Sequence, residues 1–231
     1  MSLSLLDQLR GGLVVSCQAS QHSPLHGPGY MAAMAVAAEL GGAVGIRANG
    51  PDDISAIKER VHLPVIGVYK KQYVDSDVYI TPTFREAKAI AGVGAEIIAL
   101  DGTDRIRPEG ISLPELVRRI KMELNVWVMA DISTVEEGIK AAEYGFEIVA
   151  TTLSGYTPYS TERERPNLRL VEELAAKVSI PIVAEGNITC PKQAREALER
   201  GAHCVVVGRA ITDPWVITER FVQEMGEAGG V

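Results

Sequence analysis

The sequence predicts an α/β fold, a single-domain (β/α)8 TIM barrel spanning residues 1–231, and three observations carry that expectation. A phrase consisting of a helix-like run, a glycine and an apolar strand recurs four times along the chain. Four further apolar strands lie between those repeats, giving eight in all. The length of 231 residues suits a lean barrel, and no linker or low-complexity stretch sets off a second domain. An open doubly wound sheet is the rival. It usually carries a glycine-rich dinucleotide turn after its first strand, whereas here that strand runs into Gln18-Ala19-Ser20-Gln21.

The elements follow in order. Gly12 to Gln18 is the first strand. Glycine then feeds the strands ending at Arg47, Asp101, Thr152 and Gly208, each reading as a left-handed helix cap that opens into a buried strand. Leu63–Lys70 and Ile180–Gly186 resemble each other closely, and Asn125–Asp131 completes the set. Thr83-x-x-Glu86, Ser112-x-x-Glu115 and Ser133-x-x-Glu136 read as capping boxes that start helices. Two connections are long, Ser20 to Tyr30 and Gly155 to Asn167. Both follow strand ends, where a barrel keeps its active-site loops. The tail from Pro214 to Met225 carries Trp215, Val216, Ile217, Phe221 and Val222. It is expected to pack on the barrel, with a homodimer contact as the alternative.

Composition removes several function classes. Lys plus Arg number 23 against 30 Asp plus Glu, a net charge of −7, so a nucleic-acid partner is not expected. No apolar run is long enough to span a bilayer, and MSLSLLDQLR lacks the cationic start and apolar core of a signal peptide. A cytoplasmic location is therefore expected, and the sequon Asn187-Ile188-Thr189 carries no weight without a secretion signal. Cys17, Cys190 and Cys204 match no zinc spacing and read as small buried thiols. No H-x-H or carboxylate cluster argues for a metal.

Polar residues end the strands: Gln18, Arg47, Lys70, Asp101, Asp131, Thr152, Glu185 and Gly208. Side chains alternate along a strand, so Lys70 shares its face with Ile66 and Val68, and Glu185 with Val183. Unpaired buried charge is costly, so these groups should converge and pair or meet a polar ligand. Singly, each has a plainer reading: Asp101 as a helix cap, Lys70 with its head in water, Glu185 and Arg47 at the surface. Together those readings weaken, because independent surface charges need not gather at one end of a barrel. Glu185-Gly186-Asn187 and Gly208-Arg209 follow the last two strands. Their glycines let backbone N–H groups approach an anion beside a helix start, the recurring phosphate site of barrels. His62 and His203 precede strands and belong at the opposite end, while His22 and His26 lie in the long first loop.

These motifs resemble one family, the N-acylglucosamine-6-phosphate 2-epimerases, also called N-acetylmannosamine-6-phosphate 2-epimerases. The matching stretches include GLVVSCQA (12–19), AVGIRANG (43–50), PVIGVYKK (64–71), IALDGTDRIRP (98–108), MADIST (129–134), ATTLSGYT (150–157), PIVAEGNI (181–188) and VVVGRAIT (205–212). The resemblance covers nearly the whole chain. It implies an enzyme of sialic acid catabolism that interconverts N-acetylmannosamine 6-phosphate and N-acetylglucosamine 6-phosphate without a cofactor. By the resemblance Lys70 is the catalytic lysine and Glu185 the catalytic carboxylate. Gln18, Arg47, Asp131, Tyr156 and Thr157 would line the sugar pocket, and Gly186, Asn187, Gly208 and Arg209 the phosphate. Family members often carry Arg or Lys at the position of Asn187 and a small residue at that of Arg209, so Arg209 is expected to replace the missing cation. Ile132 stands where Cys is common, a packing change only.

The chemistry needs only proton removal and return at a carbon beside a latent aldehyde. Burial would lower the Lys70 pKa and nearby carboxylates would raise it, which sequence leaves open. Two other barrel reactions remain: a Schiff-base aldolase using Lys70, and a pentose-phosphate epimerase. A phosphosugar sensor without turnover is the non-enzyme alternative.

Overall fold

The computed structural model describes residues 4–160 and 166–227. Eight parallel strands close into a barrel in chain order, each hydrogen-bonded to the next and the last to the first. They are β1 (Leu13–Cys17), β2 (Gly45–Asn49), β3 (Val65–Val68), β4 (Ile97–Asp101), β5 (Trp127–Asp131), β6 (Ile148–Ala150), β7 (Ile182–Glu185) and β8 (Cys204–Val207). The helices ahead of and between the early strands are α1 (Leu5–Leu9), α2 (Pro28–Leu40), α3 (Pro51–Lys58), α4 (Phe84–Ala91) and α5 (Leu113–Leu124). Those that follow are α6 (Val135–Glu143), α7 (Leu168–Ala175), α8 (Pro191–Glu199), α9 (Arg209–Thr212) and α10 (Pro214–Glu227). Residues 161–165 of the long Gly155–Asn167 connection, and the ends of the 1–231 span, lie outside the described residues. Among the described residues no helix is long and apolar enough to cross a membrane.

Strand alternation divides the core in two. Val14, Ile66, Val68, Ile97, Ala99, Met129, Ile148, Ala150, Val183, Cys204 and Val206 fill the barrel interior. Their neighbours on the same strands face the helices in a second, larger cluster. Helix α1 closes the floor: Leu9 is buried in the interior cluster, and the His203 ring bonds the Leu6 carbonyl at 2.8 Å. His203 therefore sits at the end expected for it. The parity carries upward. Every polar strand-end residue from Gln18 to Glu185 continues an interior row, so the barrel wall itself directs them toward the axis.

Five sequence expectations need correcting. Strand β2 does not end at Arg47 but continues to Asn49, which sets Arg47 one layer deeper, where it is 1% exposed. The box at α6 is Thr134 with Glu137, one residue later than Ser133 with Glu136, because Val135 is the first helical residue to bury. Ser133 instead donates its N–H and hydroxyl to the Glu137 carboxylate. Ser112 precedes α5 without a side-chain cap, whereas the Thr83–Glu86 box forms as expected. Cys190 is exposed ahead of α8, while Cys17 and Cys204 are buried. The tail departs most: Val216 and Ile217 are half-buried, but Trp215, Phe221, Val222 and Met225 are 62–73% exposed. Packing on the barrel thus covers only one face of α10.

Candidate active site

A cavity of about 820 Å³ opens at the carboxyl ends of the strands. Lining it are Gln18, Arg47, Lys70, Tyr156, Glu185, Gly186, Asn187, Gly208 and Arg209, nine of the eleven residues expected at the site. The other two lie behind the wall. Asp131 is fully buried beneath Arg47, and Thr157 turns inward to hydroxyls of Ser133 at 3.1 Å and Ser160 at 2.5 Å.

Arg47 organises the floor. Its Nη1 donates to Asp131 Oδ1 at 3.1 Å and its Nη2 to Oδ2 at 2.5 Å, a two-pronged pair. Nη1 also donates to Glu185 Oε2 at 2.5 Å. The Thr152 hydroxyl lies 2.7 Å from Asp131 Oδ1 and 3.1 Å from Glu185 Oε2, completing a closed network. Burial opposes the Arg47 charge, but Asp131 and then Glu185 hold it protonated, with a pKa above its ordinary value. Burial pushes the Glu185 carboxyl up to about 7 despite the pull of Arg47, and the charge of Asp131 adds to the rise. Glu185 is therefore poised to take or give a proton near neutrality.

Lys70 stands above this network. Beyond β3 the chain turns back on itself: Thr81 N–H donates to the Tyr69 carbonyl, Tyr69 N–H to Thr81 Oγ1, and Lys71 N–H to the Tyr79 carbonyl. Asn49 Oδ1 accepts the Lys70 N–H at 2.9 Å. The Lys70 backbone is thereby held on both sides, at the cost of placing β-branched Thr81 at φ 44°, a strained conformation. The amine makes no ion pair among the described residues. Burial lowers its pKa, repulsion from Arg47 adds to that, and Glu185 and Asp131 oppose without reversing it. The opposing effects left open by the sequence thus resolve toward a lowered Lys70 pKa.

A second pole lies between β7 and β8. Gly186 (φ 120°) and Asn187 (φ 54°) are both left-handed, and asparagine is among the few side chains that tolerate such a turn. No protein acceptor takes the N–H groups of Gly186, Asn187 or Ile188 among the described residues. Tyr156 Oη donates to Asn187 Oδ1 at 3.3 Å, tying the β6 loop to this corner. Helix α9 is a single turn, so its dipole is slight, and Arg209 at its start supplies charge instead.

Thr152, expected at a strand end, also lines the cavity, but sequence reasoning missed several other lining residues: Ser16, Asn49, Tyr79, Asp213 and Arg220. Ser16 and Asn49 each stand two residues from an expected one on the same strand, so alternation points to them. Tyr79 enters on the return segment after β3, which no strand pattern announced. Gln18 Oε1 and Arg47 Nε are buried and have no protein hydrogen-bond partner. Asp101 is not a helix cap; it is fully buried, pairs with Arg105 at 2.5 Å and accepts from Thr103, and it is not among the residues that line the cavity. Among the described residues no three His, Cys, Asp or Glu side chains group as metal ligands.

Residues 31–227 match a family model described as "Putative N-acetylmannosamine-6-phosphate epimerase". A protein of Caldanaerobacter subterraneus subsp. tengcongensis, named "Putative N-acetylmannosamine-6-phosphate 2-epimerase", is 53% identical over 223 residues, covering 96% of this chain and 94% of its own. One of Clostridioides difficile with the same name is 52% identical, covering 95% and 98%. The solved structure of the N-acetylmannosamine-6-phosphate 2-epimerase from Clostridium perfringens superposes with a TM-score of 0.94 at 47% identity, covering 97% of each chain.

Proposed function

The chain belongs to the N-acetylmannosamine-6-phosphate epimerase family, and from that premise we propose how its cavity interconverts N-acetylmannosamine 6-phosphate and N-acetylglucosamine 6-phosphate. In the broader nomenclature this is an N-acylglucosamine-6-phosphate 2-epimerase, and we place it in the cytoplasm. The observation that carries the residue roles is the unpaired Lys70 amine, with its lowered pKa, sharing a cavity with the Arg47–Glu185–Asp131 network.

The sugar enters as a ring. Glu185 takes the proton of the anomeric hydroxyl and returns one to the ring oxygen as the C1–O5 bond breaks, which frees the aldehyde. Neutral Lys70 then removes the C2 proton, and the electron pair moves into a C1–C2 double bond while the C1 carbonyl oxygen becomes an enolate oxygen. Arg47, held rigid by Asp131, and Gln18 stabilise that developing charge. A proton then returns to the opposite face of C2, the Lys70 ammonium giving up the one it took so that the neutral amine is restored, the configuration is reversed and the ring closes. No electrons leave the substrate, so the steps balance without a redox partner. The unpaired N–H groups at Gly186–Ile188, with Arg209, hold the phosphate and position the reacting carbon. Tyr156 lines the sugar, and Thr157 acts from behind by fixing the loop.

The test is proton exchange at C2 of N-acetylmannosamine 6-phosphate in heavy water, followed by NMR. Wild type exchanges C2–H and forms both epimers, whereas Lys70→Ala loses exchange by several orders of magnitude while still binding the phosphosugar. Exchange surviving in Lys70→Ala would overturn the assignment of the base. Borohydride trapping of a Lys70 adduct would favour the aldolase reading. We also read the exposed apolar face of α10 as the contact of a homodimer.

A further inference from the structure

We propose that Arg220, carried by α10, is a second phosphate-binding cation that acts together with Arg209, so that the terminal helix completes the active site. This rests on the reading of the cavity as a phosphosugar site. Arg220 lines the same cavity as Gly208, Arg209 and Asn187. Five basic side chains line that cavity: His26, Arg47, Lys70, Arg209 and Arg220. They are not interchangeable. Arg47 is committed to Asp131 and Glu185. Lys70 stands at the reacting carbon, and His26 faces the Ala19 carbonyl at 3.3 Å. Only Arg209 and Arg220 are uncommitted, since neither forms an ion pair among the described residues.

A phosphate monoester carries close to two negative charges at neutral pH, so one cation leaves it undercompensated. Residues four apart share a helix face, so Val216 and Arg220 line the cavity together, Arg220 at its solvent-exposed edge, while Trp215, Phe221, Val222 and Met225 do not line it. The acidic groups near Arg220 do not neutralise it. Asp213 Oδ1 accepts the Val216 N–H at 3.3 Å as the helix cap, and neither Glu219 nor Glu224 pairs with Arg220. Guanidinium groups suit phosphate because their planar donors match its oxygens two at a time.

The experiment compares wild type, Arg220→Ala, Arg220→Lys and the off-cavity control Glu219→Gln. The readouts are KM and kcat for N-acetylmannosamine 6-phosphate, and direct binding of inorganic phosphate by calorimetry. Arg220→Ala is expected to raise KM by about tenfold or more, as loss of a charge-assisted hydrogen bond predicts. The loss falls on KM more than on kcat, inorganic phosphate affinity falls in parallel, and Arg220→Lys recovers part of both. Glu219→Gln leaves them unchanged. Unaltered KM and phosphate affinity in Arg220→Ala would overturn the proposal, as would a loss confined to kcat. Should wild type bind phosphate but fail to exchange C2–H, the epimerase reading fails, and phosphate affinity in Arg220→Ala still decides the role of Arg220.

Discussion

Glu185 illustrates what a single residue gives up to serve a site. Its carboxylate is drawn from water into the barrel mouth, where burial outweighs the guanidinium at 2.5 Å and lifts its pKa to about 7. The ordinary value is 4.5, so the folded pKa lies above the unfolded one. Its contribution to stability is therefore fully present below pH 4.5 and is lost as pH rises through 7. Glu185→Gln, which cannot ionise, should be more stable than wild type at pH 8 by on the order of 1–3 kcal/mol. That advantage should shrink toward pH 5, a difference that thermal melts at the two pH values would report, while C2 exchange is lost at both. Lys70 shows the same economy with opposite sign, since its lowered pKa makes the neutral amine more abundant near pH 7. The identities of these groups were readable because each ends an apolar row. Their protonation was not, because it depends on distances among four strands that no local pattern encodes. Thr157 shows the other limit. A motif match put it at the sugar, but its hydroxyl is satisfied by Ser133 and Ser160 behind the loop.

Elements were legible to within one or two residues, and the errors have local causes. Periodicity found all eight strands, since a continuous apolar run bounded by glycine has few other readings. It stopped β2 at Arg47 because a charge reads as an end, although Asp131 and Glu185 make a buried guanidinium tolerable inside the strand. The α6 box was displaced by one residue because Ser133 and Thr134 are both good caps and Glu136 and Glu137 are both good partners. Tertiary burial of Val135 and Glu137 chooses between them. The geometry makes a clear expectation. Thr134→Ala should destabilise the protein by about 1 kcal/mol, which is roughly 2–4 °C in Tm for a chain of this size. Glu136→Gln should leave Tm within half a degree or so, as an exposed residue outside the box. A melt that reversed the two would place the cap at Ser133 after all.

At the scale of the molecule, net charge and local function separate cleanly. The chain carries −7, yet its cavity is lined by Arg47, Lys70, Arg209 and Arg220, with Glu185 and Asp213 as the opposing carboxylates. Surface acidity is screened over about 8 Å in physiological salt, so it does not reach a phosphate seated in the mouth. The tail is where whole-chain reasoning fell short. An amphipathic helix says that something covers its apolar side, but not whether the cover is the same chain or another. With Trp215, Phe221, Val222 and Met225 all exposed, sedimentation velocity should give a dimer at micromolar concentration. Trp215→Asp combined with Phe221→Asp should shift it to monomer, and a wild-type monomer would refute the homodimer reading.

The closed ring also sets an order of events during synthesis. Leu13 pairs with Val205, so the first strand made waits for the last before its outer edge is satisfied. Until β8 leaves the ribosome, β1 presents unpaired N–H and C=O groups to any other extended chain nearby. Closure on so distant a partner is slow compared with forming the individual βα units. The nascent chain is accordingly most vulnerable to misassociation just before completion, and a ribosome stalled a few residues short of Cys204 would leave every preceding unit translated yet the barrel open.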